Sequence, residues 1–177
     1  LLTNDSMVGP FGSIKNIIER ATTSEACVVG LTDTFQVGRS IQSYFMMFND
    51  AILDTAEWRL FFRSVRAQKE KEDYVWRYEL KVAVVAVRGA FGWDVLYPAS
   101  LAGADRENPS LERWRELLEQ GFPFVKRTLW THPNYADRAA AAGAYLAETQ
   151  GIAVADWLPP DVAPGHFEEI SEARRTN

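Results

Sequence analysis

The chain has 177 residues, enough for one domain with a core of its own. It is 47% hydrophobic and 24% charged, the balance of a globular protein rather than a disordered one. A formal net charge of −5 speaks against nucleic acid as a main partner, because a phosphate-binding face leaves a basic excess, but it leaves room for a nucleotide held at a local site.

The first stretch, LLT, reads as the end of a buried strand, broken by Asn4-Asp5-Ser6 and turned by Gly9-Pro10 into a helix. In SIKNIIERA the apolar residues Ile14, Ile17, Ile18 and Ala21 recur at helical spacing, with Ser13 as the expected cap. ACVVGLT reads as a short buried strand. Its Cys27 is the one cysteine, read as a small buried hydrophobe, so no disulfide forms within the chain, which fits a reducing compartment. VGRS is a turn, and SIQSYFMMF reads as one second strand.

DTAEWRLFFRSVRAQKEKE reads as a helix opened by an Asp54/Glu57 capping box, with Trp58, Phe61, Phe62 and Val65 as its apolar stripe and a solvated charged end. DYVWRYELKVAVVAVRG reads as another helix ended by Gly89, although its β-branched content also allows a helix and strand mixture. Its VAVVAV run is the longest apolar candidate and is far short of the roughly 20 residues of a membrane span. GWDVLYP is a short strand stopped by Pro98, and LAGADRENPS is a loop.

SLERWRELLEQG is a helix from a Ser110 cap to a Gly121 stop, with Leu111, Trp114, Leu117 and Leu118 as its stripe. FPFVKRTLW is expected to be extended because of Pro123, and NYADRAAAAGAYLAETQG to be helical. Residues 151–177 read as a Pro-rich, then charged, tail or linker, after a domain over 1–150. No signal peptide is visible. The chain does not start with Met, which is read as a cut N-terminus. Strands alternating with helices give an α/β class.

Five places could carry chemistry. An acid just past a strand's carboxyl end, as Asp5 is, sits where open α/β sheets bind ligands, and oxygen ligands there suit Mg²⁺ or Mn²⁺ on phosphates; alternatively Asp5 or Ser6 caps a turn. Glu79, among aromatics in WRYELKVAV, lies in the first turns of the expected helix. Partial desolvation would raise its pKa and suit it to act as a base; otherwise it is an ordinary exposed glutamate. Gln42 and Ser43, inside an apolar run, either line a sugar pocket or bond to their own sheet. Asp33 in TDTF binds a hydroxyl or forms a turn. Lys126 and Arg127 face a diphosphate or are surface charges. His132 and His166 lack zinc-site spacing. No G-x-G-x-x-G, Walker or G-x-S-x-G motif is present, which weakens kinase, dehydrogenase and hydrolase readings.

Taken in order, LLTNDSMVGPF, GLTDTF, IQSYFMMFN, YEL and GFPFVKR resemble the rhamnan synthesis protein F family, over roughly residues 1 to 135. The resemblance implies a bacterial glycosyltransferase of cell-surface polysaccharide assembly. It also implies a GT-A-like nucleotide-sugar-binding sheet, of which this chain is the carboxyl-side half. By the same resemblance, Asn4, Asp5 and Ser6 would hold the sugar diphosphate with Lys126, Asp5 would hold a divalent cation (Mg or Mn), and Glu79 would be the base of an inverting transfer. Asp33, Gln42 and Ser43 would contact the acceptor sugar. The motif departs from the Asp-x-Asp form in having one acid. The implied partners are a dTDP-rhamnose-like donor and a glycan or lipid-linked glycan acceptor. The implied place is the cytoplasm, with peripheral contact at the inner face of the cytoplasmic membrane. The reading from another class is a non-catalytic carbohydrate-binding or scaffold module derived from such a domain. A third is a structural domain whose polar motifs satisfy turns.

Overall fold

The computed structural model describes residues 1–104 and 106–158. In chain order the elements run β1 (Leu2–Thr3), β2 (Met7–Val8), α1 (Lys15–Thr22), β3 (Val28–Gly30), β4 (Asp33–Thr34), β5 (Ser40–Ile41), β6 (Phe45–Phe48), α2 (Asp50–Leu53) and α3 (Ala56–Ser64). They continue with α4 (Lys71–Tyr74), a π-helical turn (Val75–Glu79), α5 (Leu80–Arg88), β7 (Trp93–Val95), α6 (Pro109–Glu112), α7 (Trp114–Glu119), β8 (Val125–Lys126), α8 (Thr128–Thr131) and α9 (Ala136–Gln150). The chain divides into two units. The first is Leu1–Asn4 with Ile14–Arg113, and the second is Asp5–Ser13 with the chain from Trp114 onward.

The first unit is mixed α/β, the class its alternating elements lead one to expect. Its sheet has the order β1-β6-β3-β7. β6 runs antiparallel to both β1 and β3, while β3 and β7 are parallel in the register Val28↔Trp93, Val29↔Asp94 and Gly30↔Val95. Val28 and Val29 lose essentially all exposure because β3 is an inner strand. α5 packs against β5 and β7. It turns Val82, Ala83 and Ala86 inward, and the core joins Val28, Ile41, Met46, Ile52, Trp58, Val82, Ala86 and Val95. Each large member contributes about 1.5–3 kcal/mol by leaving water. That burial outweighs the weak helix propensity of the VAVVAV valines, so the segment is helical throughout. Cys27 is half-buried against this core. At Gly30 a Cβ would collide with Ile41 Cγ2, so glycine is what lets β5 approach β3.

Several sequence expectations are corrected here. β1 is exposed rather than buried, because it is an edge strand with a neighbour on one side only. Gly9-Pro10 does not lead straight into a helix: it follows β2, and residues 11–14 separate it from α1, which begins at Lys15. The α1 cap position is held by Ile14, without a side-chain cap bond, rather than by Ser13. SIQSYFMMF is two strands: Gln42 to Tyr44 break the run, β5 pairs with β4, and β6 joins the main sheet. α3 is capped by Thr55, whose hydroxyl accepts from the Trp58 amide, and not by Asp54. It stops at Ser64, because Val65 turns extended, so the charged stretch after it is not its end. Trp58 alone of the expected stripe is fully buried; Phe62 and Val65 stay exposed.

The second unit is built on the antiparallel pair β2–β8, in the register Met7↔Lys126 and Val8↔Val125. The Phe11 amide extends the pairing to the Pro123 carbonyl at 2.8 Å. Gly9 sits at φ +130°, and a Cβ there would meet that same carbonyl, so the close approach requires glycine. α7 buries Trp114, Leu117 and Leu118 and ends before Gly121 at φ +83°, as the sequence stop predicts. The helix expected over 110–121 is broken at Arg113. Its cap is Asn108, followed by Pro109 at the first helical position, rather than Ser110. FPFVKRTLW is extended only as far as Lys126. Thr128–Thr131 is helical, which buries Leu129 and Trp130. α9 packs on α8, as the alanine-rich stretch predicts a helix. Val154–Trp157 forms a 3-10 turn at the start of the expected tail; the rest of that tail, His166 included, lies outside the described residues.

Candidate functional site

In the second unit the β2–β8 register decides which polar groups meet. Asp5 and Ser6 form the turn leading into β2, Lys126 ends β8, and Arg127 follows it at the start of α8. The Arg127 amide donates to the Ser6 carbonyl at 2.9 Å and continues the ladder by one bond. The Lys126 ammonium donates to the Ser6 hydroxyl at 3.3 Å. The Arg127 guanidinium lies 2.9 Å from an Asp5 carboxylate oxygen. Asp5, Ser6 and Lys126 are therefore brought together, and Arg127 joins them. The group brings an ammonium, a guanidinium and a hydroxyl together beside Asp5, whose side chain is 84% exposed. Basic donors of this kind can receive an anionic group such as a phosphate.

The same donor set does not fit a divalent cation. Asp5 supplies one carboxylate, which already faces a guanidinium, and an ammonium stands beside it. Mg²⁺ or Mn²⁺ asks for several oxygen ligands and little competing positive charge. Among the described residues no group of three or more His, Cys, Asp or Glu is placed to hold a metal.

In the first unit Asn4 donates its backbone amide to the Tyr44 carbonyl at 3.3 Å. Asp33, 1% exposed, accepts from the Ala99 amide at 2.7 Å and from Arg39 Nε at 2.8 Å, so each carboxylate oxygen has a protein donor. Gln42 is likewise built in. The Thr32 hydroxyl donates to its carbonyl oxygen at 2.5 Å, and its amide nitrogen donates to Asn108 Oδ1 at 3.0 Å. Asn108 Oδ1 also accepts from the Ser110 amide and hydroxyl. The Tyr44 hydroxyl meets Thr32 Oγ1 at 2.5 Å, and burial pushes its pKa far above the ordinary tyrosine value, with the Asp33 charge acting the same way. Tyr44 is then a fixed neutral group, and the order of donation runs Tyr44 to Thr32 to Gln42 to Asn108. Ser43 is half-buried at the break between β5 and β6.

Sequence reasoning missed Thr32, Tyr44 and Asn108 as Gln42's setting. It also missed an open cleft of about 710 Å³ lined by Phe35, Gly103, Arg106, Glu107 and Arg113. Arg113 Nε pairs with Glu107 at 3.0 Å, and Thr34 Oγ1 donates to the Glu107 carbonyl at 3.5 Å. Asn108-Pro109 was the readable signal, as a cap residue before a helix-starting proline. The distance in sequence from Phe35 to Arg113 hid the rest.

Glu79 departs from its expected position. It lies in mid-helix, as the last residue of the π-helical turn, rather than in a first turn. There the Leu80 amide donates to the Val75 carbonyl five residues back. Glu79 is half-buried, and among the described residues its carboxylate has no hydrogen bond or ion pair. Such widened turns occur often at functional sites.

A family model described as rhamnan synthesis protein F matches residues 1–153. The chain belongs to that family. The match takes in Asn4-Asp5-Ser6, Asp33, Gln42, Glu79 and Lys126, and rhamnan synthesis protein F membership points to a role in polysaccharide synthesis. The virulence protein VirA of Vibrio anguillarum (strain ATCC 68554 / 775) is 28% identical over 158 residues, covering 73% of this chain and 50% of VirA. A VirA of Vibrio anguillarum given without a strain aligns with the same figures. This rhamnan synthesis protein F member thus spans about half the length of the curated relatives it matches. No solved structure matches it. No helix of the described residues is long and apolar enough to cross a membrane.

Proposed function

We propose that this chain is part of a glycosyltransferase of rhamnan or related cell-surface polysaccharide synthesis. It moves a hexose or deoxyhexose, such as rhamnose, from a nucleotide-sugar donor to a growing glycan. The observation that carries the reading is the cluster of Asp5, Ser6, Lys126 and Arg127, whose ammonium, guanidinium and hydroxyl donors suit the donor's diphosphate. Asn4 belongs to the same motif. A GT-A-like arrangement is part of the proposal, as is an inverting course. An acceptor hydroxyl oxygen attacks the anomeric carbon, the bond from that carbon to the diphosphate oxygen breaks, and Glu79 takes the hydroxyl proton. Lys126 and Arg127 stabilise the leaving diphosphate, and the step is not routed through a metal. The acceptor sugar belongs in the cleft beside Phe35, with Asp33, Gln42 and Ser43 nearby in sequence.

The test uses the protein of the complete gene. Nucleoside diphosphate release is measured over a panel of nucleotide sugars, with and without acceptor glycan, for wild type and Glu79→Gln. The expected result is turnover of one donor, lowered about 10²- to 10⁴-fold by Glu79→Gln with donor binding kept. Glycan binding without nucleotide release from any donor would replace this reading with that of a non-catalytic carbohydrate-binding module.

A further inference from the structure

The helix that carries Glu79 has a second face that the transferase reading does not use. Trp76, Leu80, Val84 and Val87 recur at spacings of four, four and three, which aligns them along one side of the helix through α5. Val82 and Ala86, on the other side, are buried, and so is Ala83 at the edge of the stripe. On the aligned side Trp76 is 57%, Val84 44% and Val87 63% exposed, with Leu80 half-buried. Seven of the 14 large hydrophobic side chains exposed among the described residues fall between positions 56 and 88. An apolar stripe this far out of the core is not explained by folding the unit.

Charge decides what the stripe faces. Arg77, Lys81 and Arg88 are all exposed and follow the stripe along one flank. Asp73, at 3.7 Å from Arg77, is the acid paired to this row. Residues 56 to 88 hold eight Lys or Arg against five Asp or Glu, in a chain whose net charge is −5. A Trp-led apolar stripe with a cationic flank fits the boundary between lipid head groups and acyl chains. The ring and valines enter the apolar layer, and the long basic side chains reach the anionic head groups. A second copy of this chain on the stripe would bring its own cationic row to the same seam, which opposes that occupant.

We propose that the face formed by Trp76, Leu80, Val84 and Val87, with Arg77, Lys81 and Arg88, binds the surface of an anionic lipid bilayer without crossing it. This stands apart from the transferase reading, since it calls on no donor, acceptor or catalytic group.

The experiment is vesicle flotation of the protein of the complete gene, using vesicles of phosphatidylethanolamine with phosphatidylglycerol and vesicles of phosphatidylcholine alone. Wild type should float with the anionic vesicles, weakly with the neutral ones, and less at high salt. Val84→Asp with Val87→Asp should weaken binding about tenfold or more, and so should Lys81→Glu with Arg88→Glu. All four positions are exposed, so thermal unfolding should stay near wild type. If the aspartate pair unfolds the protein, the glutamate pair, which leaves the stripe intact, decides the matter. Equal flotation of wild type and both pairs overturns the proposal, as does failure of wild type to float. A change of oligomeric state in place of vesicle binding also overturns it, in favour of a second copy.

Discussion

The Lys126 ammonium donates to the Ser6 hydroxyl at 3.3 Å across 120 positions of sequence. Two residue pairs of backbone ladder, Met7↔Lys126 and Val8↔Val125, make that meeting possible. Beside it the Arg127 guanidinium holds Asp5. Such an exposed ion pair contributes about 0–1 kcal/mol to stability. Arg127→Ala should therefore leave the unfolding midpoint almost unchanged while weakening binding of the donor nucleotide. A charge-assisted bond to phosphate is worth about 1.5–3 kcal/mol, which is roughly 10- to 100-fold in affinity. Calorimetric titration of the free nucleoside diphosphate measures it. An unchanged affinity would remove Arg127 from the site.

The single carboxylate of the cluster leads to a second expectation. Since Asp5 faces Arg127 instead of other acids, diphosphate binding should persist in a chelator. The same titration in EDTA should agree with the untreated protein within about twofold, a difference under roughly 0.5 kcal/mol. A large loss would mean that a cation completes the site.

The buried relay from Tyr44 through Thr32 and Gln42 to Asn108 sets a third. Gln42→Leu removes the acceptor of the buried Thr32 hydroxyl and one of the donors to Asn108, whose Oδ1 keeps the two Ser110 bonds. The loss should be about 1–3 kcal/mol. Ser43→Ala, half-buried and outside the relay, should change stability by less than about 0.5 kcal/mol. Denaturant unfolding of both variants separates a structural role for Gln42 from one in sugar contact. If Gln42→Leu matches wild type in stability, the relay carries no structural role.

Local patterns in the sequence were enough for some of this. Val28 and Val29 lie in a short apolar run, and the run is an inner strand. Gly121 and Gly151 end helices where glycine after an apolar stripe says they should. Asn4-Asp5-Ser6 and Lys126 are each legible as polar groups at element ends, although no local window shows that Ser6 and Lys126 meet. What stayed hidden was set by tertiary pairing. β1 reads as buried because leucines usually are, yet an edge strand lacks a covering neighbour. SIQSYFMMF is apolar enough for one strand, but the buried bonds of Gln42 and Tyr44 bend it between two sheets. Glu79 lies deeper in its helix than expected because the helix starts earlier, at Lys71, and widens into a π-helical turn over Val75–Glu79. The cleft beside Phe35 draws on positions that no local window contains.

The tightest steric relationship in the first unit supplies the last prediction. A Cβ at Gly30 would overlap Ile41 Cγ2 and come within 3.3 Å of Val95 Cγ1. Both neighbours are buried in the shared core, so neither can swing into solvent. Gly30→Ala should therefore destabilise by about 1–3 kcal/mol, the usual penalty for overfilling a packed core. For a chain of this size that lowers the midpoint by about 2–4 °C per kcal/mol. Gly38→Ala is the control, since nothing lies within 4 Å of its Cβ position and its stability should stay within about 0.5 kcal/mol. The cause can be isolated by a second change. Ile41→Ala removes the colliding Cγ2 itself and leaves only the Ile41 Cβ position, 3.5 Å away, so the double variant Gly30→Ala/Ile41→Ala should be more stable than the sum of the two single losses implies. Strict additivity would show that the penalty at Gly30 arises elsewhere than at Ile41, and that the close approach of β5 to β3 is not what requires glycine.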